Sequence, residues 1–228
     1  PGEAEIAAAR VYLDRMLRAR TPRATGTRPF FRKAYRRGAA EALHRALVYM
    51  AKGSERIGFR KFSNRLHIPD PARGTPGTTV VKSVSALGRA EALIAAADGA
   101  MRPILLIRHP CGFSGSMQRG GTMGVMKSAP PLGNLLATRA ARRLGADPAQ
   151  IAEAEDIDKL AWTWLLANAE AHPAIEAAGG TTVIYENLAH DAQAGAADLF
   201  SRVGLDWVPE TEAFLRQARS ADLVLMGP

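Results

Sequence analysis

The chain has 228 residues, 47% hydrophobic and 23% charged, with a mean hydropathy of -0.10; this excludes a disordered chain and, with no apolar run of about 18 residues, a membrane-spanning helix. Its single cysteine, Cys111, excludes an intrachain disulfide and any zinc site that takes two thiolates from one chain, so the expected setting is reducing and cytoplasmic. The formal net charge of +8, from 30 Lys and Arg against 22 Asp and Glu, points to an anionic partner without choosing among nucleic acid, a membrane surface and a phosphorylated ligand.

In chain order, residues 3–20 predict an amphipathic helix with Ile6, Leu13, Met16 and Leu17 on one face. Residues 18–38 form a basic strip: Arg18, Arg20, Arg23, Arg28, Arg32, Lys33, Arg36 and Arg37, with no acid. The whole positive surplus lies there. Phe30, Phe31 and Tyr35 interleave with these bases, as in a nucleic-acid platform, but a solvated arm is the simpler reading. Pro22, Gly26 and Pro29 predict a loop over 21–30. A second helix is expected from about Tyr35 to Lys52, with Ala39, Leu43, Ala46, Leu47 and Met50 inward and Gly53 as its C-terminal cap. Residues 54–77 read as irregular.

Thr78 to Lys82 is short and β-branched and predicts a buried strand. A helix follows over 86–97, then an apolar strand over 103–108. Strand, helix and strand in about 30 residues make a βαβ unit with parallel strands. Residues 120–133, rich in Gly and Pro, read as a mobile loop. Helices are expected at about 133–144 and 155–171, a strand over 181–185, and helices over 190–203 and 209–218. The sum is one α/β domain spanning residues 1–228, layered around a mainly parallel sheet. Ligands of such sheets bind beyond the carboxyl ends of the strands, so the positions after Val81, Ile107 and Ile184 carry the functional expectation.

The second of these reads Arg108-His109-Pro110-Cys111-Gly112-Phe113-Ser114-Gly115-Ser116. An arginine at a strand's carboxyl end can offer a phosphate a planar fork of donors. Pro110 suits the first turn of a helix, and Ser114 and Ser116 add small donors near free N–H groups. The bland alternative is a strand-to-helix junction with a surface arginine. His109 reads as a residue at the margin of the site or exposed, and Cys111 as a small core residue.

Ile107-Arg108-His109-Pro110 with Ser116 eight residues after Arg108 resembles the 3′-phosphate motif of the PAPS-dependent sulfotransferases (PAPS is 3′-phosphoadenosine 5′-phosphosulfate). Tyr185-Glu186-Asn187-Leu188 is similar to that family's Tyr-Glu-Asp-Leu segment. Phe200 to Trp207 resembles its Phe-Leu-Gly-Leu-x-Trp ending, and Trp164 with Asn168 its Trp-x-x-x-Asn helix. Val80-Val81-Lys82-Ser83 looks like its strand ending in Lys-Thr-His or Lys-Ser-Pro. The matches keep their order over about residues 78–210.

The resemblance implies a three-layer fold like that of the P-loop nucleotide-binding sulfotransferases, a mainly parallel central sheet flanked by helices. It implies transfer of a sulfuryl group from PAPS to a hydroxyl or amine of a small-molecule or carbohydrate acceptor, with no metal. Arg108 and Ser116 would hold the 3′-phosphate, Tyr185 would lie by the adenine, and Lys82 would contact the transferring group. The family's 5′-phosphosulfate loop has no counterpart: Gly74 to Thr79 resembles it in composition but precedes a strand. The chain also begins Pro-Gly-Glu without Met or a visible signal peptide, so it is expected to be N-terminally incomplete. The histidine base of one subfamily falls at Val84, which accepts no proton, and leaves the general base unassigned. Two rivals stand beside this reading: a non-catalytic protein that keeps the fold and the nucleotide site, and a nucleic-acid binder using residues 18–38. A second copy of the chain remains an open partner.

Overall fold

The computed structural model describes residues 1–18, 38–59, 65, 78–83, 86–122 and 132–216. The chain divides into two compact units, one of Pro1–Ala9 with Ser83–Pro228 and one of Arg10–Lys82. Most of the basic strip, the loop expected over 21–30 and the middle of the loop expected over 120–133 lie outside the described residues. The first helix, α1 (Glu3–Arg18), carries Glu3 and Glu5 in its first turn, where the helix dipole favours acids.

In the smaller unit, α2 (Ala39–Arg56) is a helix as expected but buries a different face. His44, Val48 and Ala51 are buried, whereas Leu43 and Met50 are exposed. The two apolar stripes lie one residue apart, and periodicity alone does not choose between them. Gly53 lies inside the helix instead of capping it; Gly58, at φ 92°, is the left-handed residue that follows. The expected strand at 78–82 is not formed. Those residues are coil, with Val80 77% and Val81 43% exposed. β-branched side chains favour a strand only where a neighbour completes the ladder, and no described strand pairs with this segment.

The larger unit holds the sheet. A 3₁₀ turn (Leu87–Arg89) leads into α3 (Ala90–Ala97), β1 (Ile104–Ile107) and α4 (Pro110–Thr122). Then come α5 (Gly133–Leu136), α6 (Arg139–Arg143), α7 (Pro148–Glu153) and the long α8 (Asp156–Ala177). Strand β2 (Thr181–Ile184), α9 (Tyr185–His190), α10 (Ala192–Val203) and a helix over 209–216 complete it. Gly120, Gly121 and Thr122 therefore belong to a helix and Gly133 begins one, so these expected loop residues are helical. The helix expected at 133–144 is two, divided at Thr138, whose hydroxyl caps α6 by accepting from Ala141 N–H. Helix α7 was not expected, although Asp147-Pro148 is a strong helix start: Asp147 accepts from Ala149 N–H at 2.9 Å.

Strands β1 and β2 pair in parallel, Ile104 with Thr181 through Ile107 with Ile184. This is α/β in the general sense: mostly helical, with two parallel strands among the described residues. One face of β1 is buried. Leu105 packs with Ala171 and Ile175 of α8, and Leu87, Ala90, Ile94 and Ile107 close around them. The opposite face carries Ile104 and Leu106, 44% and 52% exposed. Helix α8 is the spine, touching the 3₁₀ turn, α3 to α7 and both strands. Among the described residues no helix is long and apolar enough to cross a membrane.

Helix α8 continues through Pro173, where a helix would be expected to stop. Proline has no N–H, so the Ala169 carbonyl one turn earlier loses its usual donor. Arg143 replaces it, with Nη2 3.2 Å from that oxygen. We predict that Arg143→Met destabilises the protein by about 1 kcal/mol, and that the loss disappears in a Pro173→Ala background, where Ala169 regains a helical donor. A double-mutant cycle in denaturant measures this; equal losses in both backgrounds would remove Arg143 from this role.

Candidate functional site

Because β1 and β2 run in parallel and end in register at Ile107 and Ile184, Arg108 and Tyr185 leave the sheet side by side. The guanidinium carbon of Arg108 lies 5.0 Å from the centre of the Tyr185 ring, within cation–π range. This is the edge at which α/β sheets take their ligands.

The turn after β1 is tied by side chains from two other elements. Trp164 of α8 donates its indole N–H to the Arg108 carbonyl at 2.7 Å. Glu186 of α9 accepts the His109 N–H on Oε1 at 3.0 Å. One peptide unit, the C=O of Arg108 and the N–H of His109, is thus held at both ends. His109 then caps α4: its Nδ1 accepts from Cys111 N–H at 3.3 Å, and Phe113 N–H donates to the His109 carbonyl at 2.9 Å. The His109 ring is exposed, as expected; Cys111 is also exposed and is not a core residue.

The Arg108 side chain runs back over the first turn of α4. A Cβ at Gly112 would stand 2.9 Å from its Nε, 3.5 Å from Cγ and 3.6 Å from Cδ. Among the described residues the buried Nε–H has no hydrogen-bond partner and no carboxylate pairs with the guanidinium. Arg45, Arg139 and Arg202 each have such a partner. Ser116 is half-buried four residues after Gly112, on the same face of α4 one turn further along, and Ser114 is buried.

The Glu186 carboxyl is held below its ordinary value of 4.5, first by the His109 N–H, which outweighs the opposing effect of desolvation, with smaller contributions from its own N–H and from the Arg108 charge. A carboxyl depressed on folding stabilises the protein above its unfolded value and loses that effect as pH falls through its folded one. We predict that the denaturant midpoint falls as the protein is taken from about pH 6 to about pH 3, and that Glu186→Gln flattens the lower part of that profile. Superimposable profiles would show that Glu186 is not coupled to folding.

Of the residues expected at the site, Arg108 and Tyr185 are brought together, and Ser116 follows Gly112 on α4. Lys82 belongs to the smaller unit and is exposed in coil instead of ending a strand. Asn168 donates from Nδ2 to the Trp164 carbonyl at 2.7 Å, which ties it to its own helix. The sequence reading picked out Trp164 and Glu186 only inside motifs, without their partners, and passed over Gly112. A shallow groove of about 460 Å³ adjoins the turn; Pro110, Trp162, Trp164 and Leu165 line it, with Asp158 and Gln150 as polar groups. Among the described residues no three His, Cys, Asp or Glu side chains cluster as a metal site would require.

Comparison with protein-family models, with curated proteins and with solved structures finds no match to this chain.

Proposed function

We propose that the protein is a PAPS-dependent sulfotransferase, acting on a hydroxyl or amine of a small-molecule or carbohydrate acceptor. The observation that carries this is Arg108: a half-buried guanidinium with no carboxylate partner among the described residues, beside the Tyr185 ring at the carboxyl edge of a parallel strand pair. A cation in that position has free donors for an anion, and a ring beside it suits a nucleotide. In this reading Arg108 and Ser116 take the 3′-phosphate and Tyr185 lies by the adenine. The acceptor oxygen or nitrogen forms a bond to sulfur as the bridging S–O bond to the 5′-phosphate breaks; adenosine 3′,5′-bisphosphate leaves, and the acceptor's proton passes to water. Catalysis then rests on alignment and on cationic donors around the leaving phosphate, as in phosphoryl transfer.

Calorimetry with adenosine 3′,5′-bisphosphate, followed by transfer of labelled sulfate from PAPS to a panel of alcohols, sugars and amines, tests the proposal. Binding with transfer supports it. Binding without transfer would favour a nucleotide-binding protein that lacks the chemistry, and no binding would remove the nucleotide site.

The finer fold reading, three layers about a mainly parallel sheet, rests on the same resemblance. It requires a cover over the Ile104 and Leu106 face, because parallel sheets are packed on both sides. Under it, Leu106→Ala destabilises about as much as Leu105→Ala. A loss below about 1 kcal/mol would rule out the second layer.

A further inference from the structure

Arg108 is held by two kinds of contact. Its main chain is tied at the carbonyl by Trp164 and, across the next amide, by Glu186. Its side chain is seated across Gly112, where the helix offers bare backbone, and the Tyr185 ring lies 5.0 Å from the guanidinium carbon. The stem atoms Cγ and Cδ lie within van der Waals reach of a Cβ at position 112, and Nε lies closer than a Cβ tolerates. Any side chain there displaces the arginine while leaving the helix intact. Burial of Nε leaves the Nη1–Nη2 edge as the part of the fork that meets a ligand.

We infer that Gly112, Glu186 and Trp164 are positioning residues that seat Arg108 so that it meets a phosphate end-on, through its two Nη groups, with Nε withheld. The inference rests on the phosphate-binding reading of Arg108 given above, and deepens it by stating how the phosphate is met. Gly112 supplies the seat, Trp164 and Glu186 fix where the side chain starts, and Tyr185 limits where it swings.

The test reads the seat and the ligand separately. The Arg108 Nε–H proton, assigned in a nitrogen–proton NMR spectrum by its absence in Arg108→Lys, is expected to exchange with water slowly in the free protein. In Gly112→Ala it is expected to exchange as fast as an exposed arginine, with the thermal midpoint unchanged or raised, because alanine is the better helix former. In the same variant, affinity for adenosine 3′,5′-bisphosphate is expected to fall about tenfold or more while affinity for adenosine is kept. Glu186→Ala is expected to lose affinity for the bisphosphate, and Glu186→Gln, which keeps an acceptor for the His109 N–H, to restore it. Fast exchange of the Nε–H in the unmodified protein, or full bisphosphate affinity in Gly112→Ala, would overturn the inference. If the unmodified protein binds no bisphosphate, the nucleotide reading fails. The exchange rates of the unmodified protein and Gly112→Ala then still decide whether Arg108 is seated.

Discussion

Replacing Arg108 by alanine is expected to lower affinity for adenosine 3′,5′-bisphosphate by about 10- to 150-fold, the effect of losing charge-assisted bonds of roughly 1.5–3 kcal/mol. Adenosine, which has no phosphate, is expected to lose little. The comparison is clean because the ties around Arg108 are made to its main chain: Trp164 and Glu186 bind backbone atoms that alanine retains. The turn should therefore survive the substitution, and unchanged circular dichroism would verify that. Arg108→Lys is expected to rescue poorly, since an ammonium has neither the planar fork nor the flat face that lies by Tyr185. Isothermal titration of the two ligands against the three proteins measures these effects. Equal losses for both ligands in Arg108→Ala would show that Arg108 does not read a phosphate.

Leu105→Ala is expected to be the more damaging change to the fold, at about 2–5 kcal/mol. Leu105 is 1% exposed and lies against Ala171 and Ile175 of α8, whose small and branched side chains leave little freedom to close a void. A single domain has about 5–15 kcal/mol to lose, so the variant is expected to be partly unfolded at modest urea concentrations. The measurement is the denaturant midpoint, with nucleotide affinity read under conditions where the variant is still folded. A loss below about 1 kcal/mol would mean that the contact between β1 and α8 is not the core of this unit.

The strands and the residues that leave them were legible because continuous apolar runs ending in a polar residue have few other uses. Ile104 to Ile107 is such a run before Arg108, Thr181 to Ile184 is its β-branched counterpart before Tyr185, and both form strands. The same reasoning failed at Thr78 to Lys82, where the composition is as good but no described partner completes the ladder. Strand formation is decided by a neighbour, which local sequence does not contain. Helix α2 failed differently: two apolar stripes share one helix, and only the fold selects between Leu43 with Met50 and Val48 with Ala51. Pro173 reads as a stop, but it is tolerated because Arg143, 30 residues earlier, supplies the missing donor. At the site, Arg108 and Tyr185 were visible from strand ends. The peptide tie through Trp164 and Glu186 was not, since each is a contact between residues far apart in the chain. Gly112 gave no signal, because its function is the space it leaves.

The bond from His109 N–H to Glu186 joins residues 77 apart in the chain. Contacts of such separation close late, after the intervening helix has formed, because the entropy of loop closure comes before its reward. During synthesis at about 5–20 residues per second, Arg108 waits roughly 4–16 s before Glu186 has been made. Until then its guanidinium lacks the tyrosine ring, and its turn has the Trp164 tie but not that of Glu186. The corner where Arg108 meets Tyr185 is therefore among the last features to mature, and a nascent chain cut between α8 and β2 would contain the arginine but neither Tyr185 nor Glu186.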